Sequence, residues 1–414
     1  MIQLENMRFR VLLFLLGVAL LLGAVQTAQA DNGIEVLSHD VEYLFGKKMT
    51  FQARVASERE IQAVELIVEV PGTPTFVGIT SYSPAGEIEF IYDLAQRPLR
   101  IFSTVSYYYR FKLKNGEEAR SERFSFPYLD NRYQWQVLDD GKFVVHWYDE
   151  EVTFAQKIAD AAEDGREKVL ELLERPKNNQ KINIYVYSST SELQSTLAAA
   201  GVSWVGGHAD PQYGSVVVAI PPGVDRNLEI QRQIPHEITH VMLYRFMDAG
   251  YQYLPYWVNE GIASEMELFP NPAYDEALEK AHEENQLIPI SQLCYSLPAD
   301  QDAVVLAYAE SSSLISYIKR EYGITGVQAL ISAYDQGVSC DRGVEIALGQ
   351  NLRSLEKAWK REVFGGAYRE LLQAWLLPVL LVLGVIVILV VGVILLRMYF
   401  GRRDRKAGGY NGKR

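Results

Sequence analysis

Sulfur ligands and imidazoles are scarce in this 414-residue chain, which has two cysteines and six histidines. Neither Cys294 nor Cys340 has a third cysteine or a histidine-rich run beside it, so a thiolate metal site is not expected. The pair can form one disulfide if the compartment is oxidising; two free buried thiols are the other reading. Basic residues are also in deficit: 40 Lys and Arg against 52 Asp and Glu leave a net charge of −12. A phosphate backbone needs a basic face, so no nucleic-acid partner is expected. Internal repeats and low-complexity tracts are absent. With 48% hydrophobic and 22% charged residues, most of the chain should bury a core, and its length leaves room for more than one domain.

Two uncharged apolar runs stand out. Val11–Val25 follows Arg8 and Arg10 and precedes Ala28-Gln29-Ala30, a small-x-small pattern. Residues 1–30 therefore read as a secretory signal, with an uncleaved anchor as the alternative; either way the following chain is exported. Leu371–Leu396 carries no charge and is long enough to cross a bilayer as a helix. Arg397, Arg402, Arg403, Arg405, Lys406, Lys413 and Arg414 follow it, which marks residues 397–414 as a cytoplasmic tail. Trp375 and Tyr399 suit the two membrane interfaces. The expectation is a single-pass cell-membrane protein with its bulk outside.

Between these runs, residues 31–128 look all-β. Ile34–His39, Met49–Val55, Ile61–Val70, Glu87–Tyr92, Val105–Leu113 and Arg120–Phe126 are short apolar or alternating runs, and Lys114-Asn115-Gly116 is a hairpin turn signal. Six or seven strands in about a hundred residues fit an immunoglobulin-like sandwich. Tyr107, Tyr108 and Tyr109 read as packing between strands rather than as a binding face. A turn at Asp139-Asp140-Gly141 leads into a strand, Lys142–Trp147, whose His146 alternates with apolar neighbours and reads as a packed histidine. Thr153–Leu173 has helical periodicity, Lys181–Tyr187 is a buried strand, Ser191–Ala199 a short helix and Gly214–Ile220 another strand. His208 falls in a glycine-rich stretch that reads as a surface loop. Helices are expected over Ala273–Glu284, Val304–Tyr322, Val327–Tyr334 and Leu352–Phe364, with Gly323 and Gly349 as stops.

The chemistry is concentrated in His236-Glu237-Ile238-Thr239-His240. Histidines four apart share one helix face, so both can reach one metal ion. Glu237 lies beside that face and can take a proton from a water the metal activates. After nineteen residues, 241–259, comes Glu260 within Trp257-Val258-Asn259-Glu260-Gly261. Glu260 can return on a second helix as a third ligand, leaving one position open. Three protein ligands and an open position mark a catalytic zinc site, whereas a structural site is closed by four. Pro235 precedes the first histidine, so the helix either bends there or starts late.

His236–His240 with Asn259-Glu260-Gly261 resembles the gluzincin metallopeptidases, the group of thermolysin and aminopeptidase N. The wider run from Trp204-Val205-Gly206-Gly207 through Tyr308 to Trp359 resembles peptidase MA-like domains of bacterial secreted and membrane proteins. The resemblance implies one Zn2+ held by His236, His240 and Glu260, with Glu237 as general base and a peptide or protein as substrate. It implies that Gly214–Val218 lies along the cleft edge and pairs with substrate backbone. It also implies a hydrogen-bond donor opposite the zinc, for which Tyr308 is the best-placed residue. Thermolysin-like enzymes carry a carboxylate four residues after the ligand glutamate. Here Ser264 holds that place, with Glu265 and Glu267 nearby, which leaves open what orients His236. The expected architecture is multidomain: signal 1–30, all-β immunoglobulin-like sandwich 31–128, α+β zincin-like metallopeptidase domain 129–368, transmembrane helix 371–396 and tail 397–414. The competing readings are a catalytically inactive zincin-fold binding ectodomain and a surface adhesin.

Overall fold

The computed structural model describes residues 33–173, 176, 178–199, 207–298 and 300–407. The expected signal at 1–30 and Trp204-Val205-Gly206 lie outside the described residues. The chain divides into two compact units. One holds the residues up to Asp160 together with Gln180–Ile230; the other holds Ala161–Asn179 and Gln231 onward.

The first unit opens with an all-β region. Its nine strands are β1 (Ile34–Leu44), β2 (Lys48–Ser57), β3 (Ile61–Glu69), β4 (Phe76–Ile79), β5 (Ser81–Tyr82), β6 (Glu87–Asp93), β7 (Ser103–Leu113), β8 (Glu118–Arg120) and β9 (Phe124–Tyr128). One antiparallel sheet runs β1-β2-β6-β5; in the other, β4-β3-β7, both β8 and β9 also pair with β7. Alternating burial along β2 and β7 puts Met49, Phe51, Tyr107 and Phe111 from the two sheets into one core. Tyr109 joins them and Tyr108 points away, as a packing role requires. The run expected as one strand over Arg120–Phe126 splits into β8 and β9, and the short β4 and β5 were not foreseen.

A mixed sheet follows in the order β10 (Gln136–Asp139), β11 (Phe143–Trp147), β12 (Ile182–Tyr187), β14 (Ser215–Ala219), β13 (Gly207–Asp210). Helix α1 (Val152–Leu172) follows β11, and α2 (Thr190–Ala199) follows β12. His146 hydrogen-bonds Asn183 at 3.2 Å and stacks on Tyr185, the packed role expected of it. Two expectations fail here. His208 sits in strand β13, not in a loop. Gly214–Val218 is no cleft edge, because β14 has β12 on one side and β13 on the other, so its backbone ladder is filled. The glycines near His208 masked a hairpin whose outer strand takes the edge.

The segment that leaves the all-β region is fastened to the mixed sheet by a buried carboxylate. Asp130 has no exposed surface and accepts from the Arg132 guanidinium at 2.6 and 2.8 Å, from Tyr187 at 3.0 Å and from Thr196 at 2.9 Å. Its carbonyl accepts from Trp135. Removing this carboxylate leaves the buried Tyr187 and Thr196 hydroxyls without their acceptor, whereas Arg132, about a third exposed, can turn to water.

The second unit is helical. Helix α3 (Arg226–Met247) leads, beginning in the first unit, followed by a 3-10 turn (Asp248–Tyr253), α4 (Tyr256–Met266), α5 (Ala273–Glu283), α6 (Ile290–Leu293), α7 (Gln301–Asp335), α8 (Cys340–Leu348), α9 (Leu352–Phe364) and α10 (Gly366–Ala407). The two helices expected around Gly323 form one run interrupted at that residue, where φ is +69°. Gly349 ends α8 in the left-handed conformation, as a C-terminal glycine should. Cys294 and Cys340 are joined, with Cα atoms 5.9 Å apart. Within α10, Pro378–Met398 is long and apolar enough to cross a membrane, and none of it is buried.

Two stability outcomes follow. Asp130→Ala should cost about 2–4 kcal/mol in urea denaturation of the purified protein, as two buried hydroxyls lose their acceptor; a loss under about 1 kcal/mol would show that the network does not hold this part of the fold together. The second concerns Glu310 of α7, whose carboxyl is raised to about 8 by burial, against the opposing hydrogen bond from Ile288 N and with Lys360 and Glu356 facing it. A raised carboxyl favours the protonated folded form. Its contribution is complete below the ordinary 4.5 and is lost as pH climbs towards 8, at about 1.4 kcal/mol per unit. Glu310→Gln, which keeps a neutral acceptor, should melt higher than the parent at pH 9 and not at pH 5; equal shifts at both would refute this.

Candidate metal centre

Helix α3 is a core helix rather than an amphipathic one: every residue from Ile234 to Leu243 is buried. It runs through Pro235, nine residues after its start, so the proline neither delays nor ends it. Thr239 donates to the Pro235 carbonyl at 2.7 Å. The four-residue spacing then stacks the two imidazoles on one face, with ring centroids 5.0 Å apart and nearly perpendicular. Helix α4 starts after Pro255 and is almost wholly buried. Gly261 lets it lie against α7: a Cβ there would stand 2.4 Å from the Ser311 carbonyl oxygen. That close approach fixes the residue just before it, Glu260.

These helices bring His236, His240 and Glu260 together, with all candidate ligand atoms within 4.8 Å of one another. One Glu260 oxygen, Oε2, lies 3.3 Å from His236 Nε2 and 3.5 Å from His240 Nε2. The far side of each ring is engaged. His236 Nδ1 is 3.2 Å from Glu267 Oε1, and His240 Nδ1 is 3.1 Å from Asn259 Oδ1. A carboxylate only accepts, so His236 Nδ1 carries the proton, and with neutral rings both Nε2 lone pairs face Glu260.

Lone pairs and a carboxylate facing one another in a buried site need a positive charge between them. Burial lowers the two histidines, but the surrounding carboxylates outweigh it: hydrogen bonds to Glu260 and Glu267 carry His236 up to about 10, and His240 is raised chiefly by the charge of Glu260. Burial raises Glu260, yet the imidazoles bring it down to about 2. A metal ion meets the same demand. Donors bound about 2.0–2.2 Å from a tetrahedral ion stand roughly 3.3–3.5 Å apart, and the two Glu260–imidazole separations fall in that range. The residues present therefore fit a divalent ion with imidazole and carboxylate ligands.

Glu237 is buried beside this cluster, close enough for its charge to raise His236, His240 and Tyr308. Tyr308 opens towards the site from α7, its ring 5.9 Å from that of His236; burial and then Glu260 and Glu237 raise its hydroxyl. Glu267 answers the open question of what orients His236. Helical spacing puts residue 264 on the face of Glu260, but α4 ends at Met266 and Glu267 turns extended, so its carboxylate reaches back from outside the helix. Sequence reasoning had only its proximity as a signal. Asn259 belongs to the recognised motif, and the contact of its Oδ1 with His240 Nδ1 gives it a role that spacing alone did not.

Residues 161–365 match the family model of the Peptidase MA superfamily, a segment that contains every residue of this cluster. The match supports a peptidase-like domain there. No curated protein matches the chain. Solved structures give partial likenesses. The bromine derivative of BhCBM56 is 14% identical over 24% of this chain and 96% of its own, with a TM-score of 0.18. A β-1,3-glucan binding domain of carbohydrate-binding module family 56 is 16% identical over 22% and 96%, at 0.16. OgpA from Akkermansia muciniphila is 15% identical over 25% and 30%, at 0.19.

The outer contacts should tune metal retention. Asn259→Ala frees His240 Nδ1 and should weaken the affinity for a divalent metal ion about 10–100-fold in competition with a chromophoric chelator; unchanged affinity in a folded protein would remove Asn259 from the site.

Proposed function

We propose that this chain is a membrane-anchored, zinc-dependent peptidase of the gluzincin type that hydrolyses peptide bonds on the extracytoplasmic side. The observation that carries the reading is the convergence of His236, His240 and Glu260, with Glu237 beside them, inside the segment that matches the Peptidase MA superfamily. On this reading residues 31–128 form an immunoglobulin-like sandwich, residues 129–368 a zincin-like domain, residues 371–396 the membrane crossing and residues 397–414 a cytoplasmic tail. The apolar Pro378–Met398 helix supports the anchor. The partner is a peptide or protein, not a nucleic acid.

His236, His240 and Glu260 hold one zinc ion. When bound, the ion supplies Lewis acidity towards a scissile carbonyl and lowers the pKa of water to near neutrality. Glu237 is not a ligand; it takes the proton of the attacking water and returns it to the leaving amine. Glu267 and Asn259 hold the two imidazoles in the tautomer that presents Nε2. Tyr308 donates a hydrogen bond to the oxygen that gains charge in the transition state. Burial keeps its hydroxyl protonated, as a donor must be.

The two glutamates are separable by substitution. Glu237→Gln should retain zinc and lose nearly all turnover of a diverse peptide mixture, whereas Glu260→Ala, His236→Ala and His240→Ala should lose zinc first and activity with it. If Glu237→Gln strips the metal, or Glu260→Ala keeps both, the roles are wrong. Zinc retention without turnover in the parent chain would instead identify an inactive zincin-fold ectodomain. Tyr308→Phe should slow turnover roughly a hundredfold. Protease added to intact cells should degrade the ectodomain and spare the tail; a tail cut from outside would overturn the topology.

A further inference from the structure

Nothing in the zinc-binding pattern points to α1, yet this helix reaches the centre from behind. Gly165 faces Pro235, the residue before the first histidine. A Cβ on Gly165 would stand 2.7 Å from the proline Cβ and 2.8 Å from its Cα. An ordinary residue would hold the two helices apart, so the glycine sets their spacing. One turn on, Lys168 donates from Nζ to the Glu267 carbonyl oxygen at 2.8 Å. The next amide, Leu268 N, donates to the Gln231 carbonyl of α3 at 2.9 Å. Glu267 therefore has its backbone held from α1 while the following amide is held from α3. Its side chain meets His236 Nδ1 through Oε1 at 3.2 Å. Lys168 is half-buried, and Glu265 and Glu171 are its acidic neighbours together with Glu267.

We propose that Lys168 is a positioning residue of the metal centre: by gripping the Glu267 backbone it fixes the carboxylate that orients His236, and Gly165 makes the grip possible. The proposal rests on the metal-site reading above. The hydrogen bond of Lys168 is to Glu267 and not to His236, His240 or Glu260, so its effect on the centre passes through Glu267. A lysine that merely capped the end of α4 would lower stability without this dependence.

A double-substitution cycle on zinc affinity separates the two, using the full-length protein in detergent with zinc in competition against a chromophoric chelator. Lys168→Met should weaken zinc about tenfold, the lower end for loss of an outer partner. It should weaken zinc no further in a Glu267→Ala background, where Lys168 still has its carbonyl but the carboxylate it positions is gone. Lys168→Arg, which keeps a donor, should restore most of the affinity, and Gly165→Ala should repeat the Lys168→Met loss by separating α1 from α3. Melting temperatures recorded alongside show whether each variant is folded, and the arginine variant carries the test if the methionine one is not. Parent-like affinity in folded Lys168→Met, or equal losses with and without Glu267, overturns the proposal. Absence of zinc binding by the parent chain would defeat the metal-site reading itself, a different and distinguishable failure.

Discussion

The structure of the second unit depends on one electrostatic constraint: two imidazole lone pairs and a carboxylate are pointed at each other at a site where each side chain keeps only 9–11% of its surface exposed. Largely removed from solvent, such a group of acceptors repels itself, and it can persist only with positive charge at its centre. Protons would serve, and the raised histidines and depressed Glu260 express that pull. A divalent ion serves better, because it satisfies all three donors at once. Much of what surrounds the site keeps those acceptors from turning away. Glu267 and Asn259 pin the far nitrogens, Gly261 presses α4 onto α7, and Gly165 presses α1 onto α3.

The clustering of the three candidate ligands was legible because it rests on the most regular geometry a chain has. Four residues along a helix is a fixed angle and rise, so His236 and His240 could be placed without tertiary information. Glu260 needed only a returning helix. The supporting contacts lie where that regularity stops. Glu267 acts from the first residue beyond α4, where helical spacing no longer says which way a side chain points. Lys168 lies 99 residues away from it in sequence, on a helix whose periodicity shows only that it packs. A glycine inside a helix usually reads as a weak position, so Gly165 gave no sign that it was a contact.

The sheets show the same division. Strands with strong alternation, such as β2 and β7, emerged nearly complete, and the Gly116 and Gly141 turns fell where Asn-Gly and Asp-Gly signals put them. The hairpin carrying His208 was missed because glycines at its start resemble a loop, and β14, which the resemblance placed at the cleft edge, is an interior strand. The buried Asp130 network was invisible for a different reason: its partners Tyr187 and Thr196 are 57 and 66 residues distant, and one aspartate in a turn-like stretch carries no mark of burial.

The chemistry of this site turns on what occupies the space between His236, His240 and Glu260. Metal analysis of the protein purified without added chelator, joined with X-ray absorption at the zinc edge, addresses it directly. The result expected is one zinc per chain in a shell of nitrogen and oxygen donors with imidazole scattering from two histidines, and no sulfur. A protein that folds and remains metal-free at saturating zinc, or a zinc shell containing thiolate, would contradict it.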